Sequence, residues 1–207
     1  MNFTNNKEKI SYIIGRDMAT NFKKQGIDVE PQFLLQGLQE AMAGTQSNLT
    51  QDEVHQAMTE LQQLMQSRQA SSQSRMAEIN QQEGQAFLAE NKNNPGVVTL
   101  SSGLQYQVLQ EGTGATPGRS DKVTTHYHGT LLDGTVFDSS YERGQPATFP
   151  VNGVIAGWTE ALTQMKEGSK WRLFIPANLA YGAQGAGEDI GPNSTLIFDV
   201  ELLSVNK

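Results

Sequence analysis

The period of the apolar residues changes once, at Pro95-Gly96, and that change limits the folds open to this chain. Before it, apolar residues recur at helical spacing; after it, they alternate at a period of two. Most of the 20 Gly and 7 Pro of the 207 residues also lie beyond Asn94. Two architectures in series follow: an all-α N-terminal part and a strand-rich C-terminal part, together an α+β chain.

Ile10, Ile13, Ile14, Met18 and Phe22 predict a first helix from about Asn5 to Gln25, closed by Gly26. Asp28 and Pro31 mark a second start, with Phe33, Leu34, Leu35, Leu38, Ala41 and Met42 on a broad apolar face and Gly44 as stop. Two such helices cover about 40 residues, a size at which a chain rarely buries enough surface alone. An identical copy is the economical partner, so residues 1–48 are expected to form a helical dimerisation domain. Thr50-Gln-Asp-Glu53 is a capping box, and the helix it opens is expected to run to the Asn91–Pro95 cluster, on the order of 60 Å. This linker, residues 49–94, packs its start on the helical pair through Val54, Met58, Leu61, Leu64 and Met65. From Gln66 to Gln85 so few apolar residues remain that a free-standing strut is expected, with Gly84 as a weak point.

In residues 95–207, Leu104, Tyr106 and Val108, then Val123, Thr125, Tyr127 and Leu131, alternate; Asp133-Gly134 supplies a hairpin turn. Trp171, Leu173 and Ile175 predict another strand, and Leu196–Val205 a last one. Four or five antiparallel strands are expected around one short helix that opens at Trp158 in the run Val154-Ile-Ala-Gly-Trp158. Trp158 reads either as the floor of a pocket or as core packing, and Tyr127, Phe137, Phe149, Tyr181 and Phe198 share that ambiguity.

A formal net charge of −7 argues against a nucleic-acid surface. Without cysteine there is no disulfide, thiol nucleophile or thiolate metal site, and no apolar run approaches the roughly 20 residues of a membrane span. The polar segment Met1–Lys9 lacks the apolar stretch of a signal peptide, so the sequence as written reads as cytoplasmic, or as periplasmic or cell-surface if a signal peptide has been removed. His126 and His128 flank Tyr127 on the opposite face of its strand with no third ligand, so no metal and no cofactor is expected. No Gly-x-Ser-x-Gly elbow and no phosphate cradle appears. What remains is an aromatic cup with few polar groups: Asp138, Arg143 and the hydroxyls of Tyr127 and Tyr181. Such a cup suits an apolar ring beside a carbonyl, and proline presents that ring next to a tertiary amide. Turning an X-Pro bond crosses a barrier of roughly 20 kcal/mol and needs neither nucleophile nor metal.

The C-terminal half resembles the FKBP family of tacrolimus-binding peptidyl-prolyl isomerases. The matching strings are Tyr127-His-Gly-Thr-Leu-Leu-Asp-Gly-Thr-Val-Phe137-Asp138, Val154-Ile155-Ala-Gly-Trp158, Leu179-Ala-Tyr181-Gly182 and Pro192-Asn-Ser-Thr-Leu-Ile-Phe198. The first half is similar to the dimeric bacterial branch, the macrophage infectivity potentiator type, in Gln25-Gly-Ile-Asp28, Gln39-Glu-Ala-Met42 and Ala89-Glu-Asn-Lys-Asn-Asn-Pro95. The resemblance implies a half-open antiparallel sheet wrapped on a short helix, with isomerase activity on proline peptides and unfolded proteins held by a V-shaped homodimer. It further implies inhibition by macrolides such as tacrolimus or rapamycin. Asp138, Tyr181 and the Ile155 N–H would then be the catalytic groups. Tyr127, Phe137, Arg143, Phe149, Val154, Trp158, Ile190 and Phe198 would bind substrate, with Arg143 orienting Asp138 and Tyr127. Ala147, Ala186 and Asp189 depart from bulkier residues elsewhere in the family and predict a more open cup. A non-catalytic proline-binding module or holdase is the alternative reading.

Overall fold

In a computed structural model, which describes residues 2–206, the chain divides into two compact units, residues 1–71 and 72–207. Helix α1, Asn6–Gln25, begins where the Asn5 side chain accepts the Glu8 N–H and ends at Gly26, whose φ of 68° only glycine adopts freely. Helix α2, Pro31–Ala43, starts on its proline and stops at Gly44 in the same left-handed conformation. Helix α3, Gln51–Asn91, opens with the capping box: Glu53 N–H donates to Thr50 Oγ1 and Thr50 N–H to Glu53 Oε2, at 3.3 and 2.8 Å. The Thr50 N–H, followed by the Thr50 hydroxyl donating to the same oxygen at 2.8 Å, holds the Glu53 carboxyl below its usual range. No residue of α1 or α2 is buried, and Ile10, Ile13, Ile14, Phe33, Leu35 and Met42 are all more than half exposed.

The second unit holds a seven-stranded antiparallel sheet: β1 Val97–Thr99, β2 Gln105–Gln110, β3 Lys122–Thr130, β4 Val136–Ser139, β5 Ala147–Pro150, β6 Lys170–Ile175 and β7 Leu196–Asn206. The order is β1-β2-β6-β7-β3-β4, and β5 also pairs with β3. Both β4 and β5 lie along the same edge of β3, β5 against Lys122–Thr125 and β4 against His128–Thr130. Seven strands replace the four or five expected, because β1, β4 and β5 have only three or four residues each, too few to display a period of two. Along β3 the odd positions from Val123 to Gly129 are buried and the even ones half-buried. His126 and His128 therefore face away from the core, where their Nδ1 atoms bond Ser140 Oγ and Ser139 Oγ at 2.9 and 3.0 Å.

Helix α4, Ala156–Leu162, lies on the inner face and buries Trp158, Ala161 and Leu162 against the sheet. Its close approach requires Gly157, where a Cβ would come within 2.6 Å of Ile175 Cγ2.

The end of α3 is not the free-standing strut that its polarity predicts. From Ser72 on it belongs to the same unit as the sheet. Asn80 Nδ2 donates to Pro192 O at 2.8 Å, Asn91 Nδ2 to Gln105 Oε1 at 2.8 Å, and Phe87 packs on Phe174 with ring centres 5.8 Å apart. Gly84 is buried, and a Cβ there would come within 2.2 Å of Thr195 Oγ1. It is a contact point between helix and sheet, not a weak point. Much of this docking runs through asparagine side chains and a missing Cβ, neither of which registers as hydrophobic periodicity.

Candidate active site

A cavity of about 630 Å³ opens between α4, β3, β4, β5, β7 and the loop after Tyr181. Its floor is Trp158, 4 % exposed, so the ring belongs to the core and to the cavity at once. Three rings meet the indole edge-on or at a steep angle: Tyr127 at 5.3 Å, Phe149 at 5.5 Å and Phe198 at 5.2 Å between centres. Phe137 stands edge-on to Phe198 at 5.3 Å. Edge-to-face contacts of this kind suit the ring quadrupoles. Gly129 makes room for the cluster, since a Cβ would come within 2.7 Å of both Phe137 and Phe198. The strands thus deliver each ring by simple alternation: Tyr127 from β3, Phe137 from β4, Phe149 from β5 and Phe198 from β7.

The polar groups gather on one side. Tyr127 donates its hydroxyl to Asp138 Oδ2 at 2.7 Å. Arg143 donates to the same hydroxyl through Nη2 at 2.7 Å and forms an ion pair with Asp138 Oδ1 through Nη1. The guanidinium also lies 5.4 Å from the centre of the Tyr127 ring. Burial, followed by the bond to Asp138, pushes the Tyr127 phenol above its usual range, so it remains a donor. The Asp138 bond likewise raises the Arg143 guanidinium. A carboxylate with both oxygens engaged has a fixed orientation at the cavity wall.

Val154, Ile155 and Ile190 line the cavity together with Tyr181, a residue 41 % exposed. Among the described residues the Ile155 N–H and the Tyr181 hydroxyl meet no protein acceptor or donor, so both are available to a ligand. Of the catalytic and substrate-binding residues expected from sequence, Arg143 alone does not line the cavity; it stands behind Asp138 and Tyr127. Ala147 is also outside it, packed against the core in β5, whereas Ala186 and Asp189 line it. Gly153 and Gly187 contribute to the lining and were not singled out; residues without side chains carry no chemical signal, and only their positions beside Val154 and Ala186 mark them. No group of three or more His, Asp or Glu suited to a metal ion occurs among the described residues.

Residues 113–203 match the family model described as FKBP-type peptidyl-prolyl cis-trans isomerase, and residues 7–108 match the domain amino terminal to it. The chain is 50% identical over 204 residues to the outer membrane protein MIP of Legionella longbeachae, covering 99% of this chain and 88% of the relative. It is 51% identical over 201 residues to the peptidyl-prolyl cis-trans isomerase Mip of Coxiella burnetii, covering 97% and 87%. Among solved structures, that of FkpA from Escherichia coli superposes with a TM-score of 0.82 at 40% identity, covering 99% of both chains. With the Trp158-floored cup and both halves of the chain matched, the protein belongs to the FKBP-type peptidyl-prolyl cis-trans isomerases.

Proposed function

We propose that the Trp158 cavity is where this isomerase turns X-Pro bonds in peptides and folding proteins. The observation that supports this most is the pairing of an aromatic floor with a carboxylate, Asp138, that Tyr127 and Arg143 hold in place beside it. The proline ring rests on the indole between Tyr127, Phe149 and Phe198. The carbonyl of the preceding residue faces Asp138 and the Tyr181 hydroxyl, and the Ile155 N–H holds the carbonyl of the proline itself. In the twisted state amide resonance is lost and the carbonyl carbon becomes more electron-poor. An anion fixed beside it by Tyr127 and Arg143 favours that state over the planar one. The apolar walls act in the same direction, because the planar amide has the larger dipole and loses more on leaving water.

Tacrolimus, which carries a similar ring and carbonyl pair, is expected to bind here, the small Ala186 and the acidic Asp189 leaving that side of the cup open. Titrating the protein with tacrolimus while recording tryptophan fluorescence and peptide isomerisation tests the site. A quench that saturates with the loss of activity supports the proposal; inhibition in a Trp158→Phe variant identical to wild type, with no quench in wild type, contradicts it.

We further propose a homodimer through the first unit, with substrate chains held between two isomerase domains. The exposed apolar faces of α1, α2 and the start of α3 support it, since Ile13, Phe33, Leu35 and Met58 are each 55–64 % exposed. The relative named an outer membrane protein leads us to propose the cell envelope as its location.

A further inference from the structure

One wall of the Trp158 cavity is a loop, residues 182–195, whose cavity-facing residues are Ala186, Gly187, Asp189 and Ile190. It contains no strand and one short 3-10 turn, and Gly182, Gly185 and Gly187 all have positive φ. Internal bonds give it a shape: Ala186 and Ile190 exchange backbone hydrogen bonds at 2.9 and 3.1 Å, and the Asn193 N–H donates to Gly182 O at 2.8 Å. Ile190 is its one large inward side chain and is buried in the core cluster, whereas Ala186 and Gly187 add little to hold the wall against the rest of the cup. Such a segment opens at low cost unless something seats it.

The seat is the long helix. Asn80 Nδ2 donates to Pro192 O at 2.8 Å and reaches Ser194 Oγ at 3.3 Å. Asn193 Nδ2 donates to Ala77 O at 3.4 Å. A Cβ on Gly191 would come within 3.1 Å of Asn80 Nδ2 and 3.2 Å of Met76 Sδ, so backbone and helix lie in direct contact just beyond Ile190. Two of these bonds end on main-chain carbonyls, one of the loop and one of the helix, and therefore fix backbone position and not just a side chain.

We propose that Asn80, with Asn193, is a positioning residue for the isomerase: the α3 clamp sets where the Ile190 wall stands and so how tightly the cup grips the residue preceding proline. This rests on the reading of the Trp158 cavity as the proline site, in which that residue lies on the Tyr181 side. Releasing the clamp lets the wall sample wider positions. Planar and twisted substrate then lose the same contact, which raises KM and leaves kcat nearly unchanged. Discrimination among neighbours of proline falls as well, because a wall that yields excludes less.

The test uses the full chain with Asn80→Ala and, separately, Asn193→Gly. Glycine retains the φ of 56° that Asn193 adopts while deleting its bond to α3. kcat and KM are measured on peptides with Ala, Leu, Phe or Glu before proline, alongside the unfolding midpoint. We expect KM to rise about 3- to 10-fold, as befits one hydrogen bond of about average worth, with kcat within about twofold and a flatter preference among the four peptides. The double variant should be less than additive, since both changes release one loop. Wild-type KM and preference in both variants would overturn the proposal. So would a fall in kcat equal on all peptides that tracks a lower unfolding midpoint, which is what a merely structural contact gives. An Asp138→Leu control separates the two levels: if it too leaves the peptides' rates unchanged, the site reading fails; if it alone lowers them, only the clamp fails.

Discussion

The Tyr127 hydroxyl lies 2.7 Å from Asp138 Oδ2 while its ring stands edge-on to Trp158 at 5.3 Å, so a single side chain joins the floor of the cup to the carboxylate that Arg143 holds. Tyr127→Phe retains the ring and removes the bonds to Asp138 and Arg143. Peptide isomerisation is expected to fall several-fold while stability drops by about 1 kcal/mol, the net worth of a typical hydrogen bond. Chemical unfolding beside a protease-coupled rate measurement checks both; an unchanged rate would detach Tyr127 from the orientation of Asp138.

Gly84 reverses the sign expected of an interior helical glycine. Replacing it with alanine would ordinarily gain about 1 kcal/mol of helix propensity. Here the new Cβ meets Thr195, itself buried, and overpacking of this kind costs roughly 1–3 kcal/mol. Gly84→Ala is therefore expected to lower the unfolding midpoint of the second unit, read by calorimetry. A raised midpoint would mean that α3 does not lie this close to the sheet.

Alkaline pH tests the two phenols that donate to carboxylates, the buried Tyr127 and the more exposed Tyr141. Tyr127 and Tyr141 are both pushed above the ordinary value of 10.0, in each case first by burial and then by a hydrogen bond to a carboxylate, Asp138 or Glu201. A group raised in the folded state gives stability that is fully present below its unfolded pKa and is lost as pH rises through the folded one. Stability from this source should hold up to about pH 10 and decline above it. In a Tyr127→Phe, Tyr141→Phe double variant that alkaline decline should be smaller, as followed by the urea midpoint at stepped pH.

Light scattering of the intact chain is expected to give twice the chain mass of 22.6 kDa. The exposed faces of α1 and α2 are the reason, and Phe33→Asp with Leu35→Asp should return it to the monomer. A monomer of wild type at micromolar concentration would contradict the dimer.

How much of this was legible in the sequence follows from how each feature is encoded. The ends of α1, α2 and α3 depend on local chemistry, with Gly26, Gly44, Pro31 and the Thr50–Glu53 box each acting within one turn, so those boundaries read directly. Strands β2, β3, β6 and β7 are long enough to alternate visibly; β1, β4 and β5 are not. The rings of the cup were legible through motif resemblance, which also pointed to Arg143 as the partner of Asp138 and Tyr127. The loop wall was less so, because Gly187 and Ala186 offer no distinctive chemistry. The clamp was hidden altogether: Asn80 and Pro192 are 112 residues apart, and polar bonds between a helix and a distant loop leave no pattern in either segment.

The central claim is that isomerisation takes place in the Trp158 cup with Asp138 and Tyr181 as its polar groups. The direct measurement is kcat/KM on a proline peptide in a protease-coupled assay for Asp138→Leu and Tyr181→Phe, each shown by circular dichroism to retain the wild-type fold. Both are expected to fall, Asp138→Leu by about tenfold or more as for loss of one positioned electrostatic group, and Tyr181→Phe by less, since Tyr181 is 41 % exposed and water can replace its hydroxyl. Wild-type rates in both variants would contradict the account and place the reaction elsewhere on the chain.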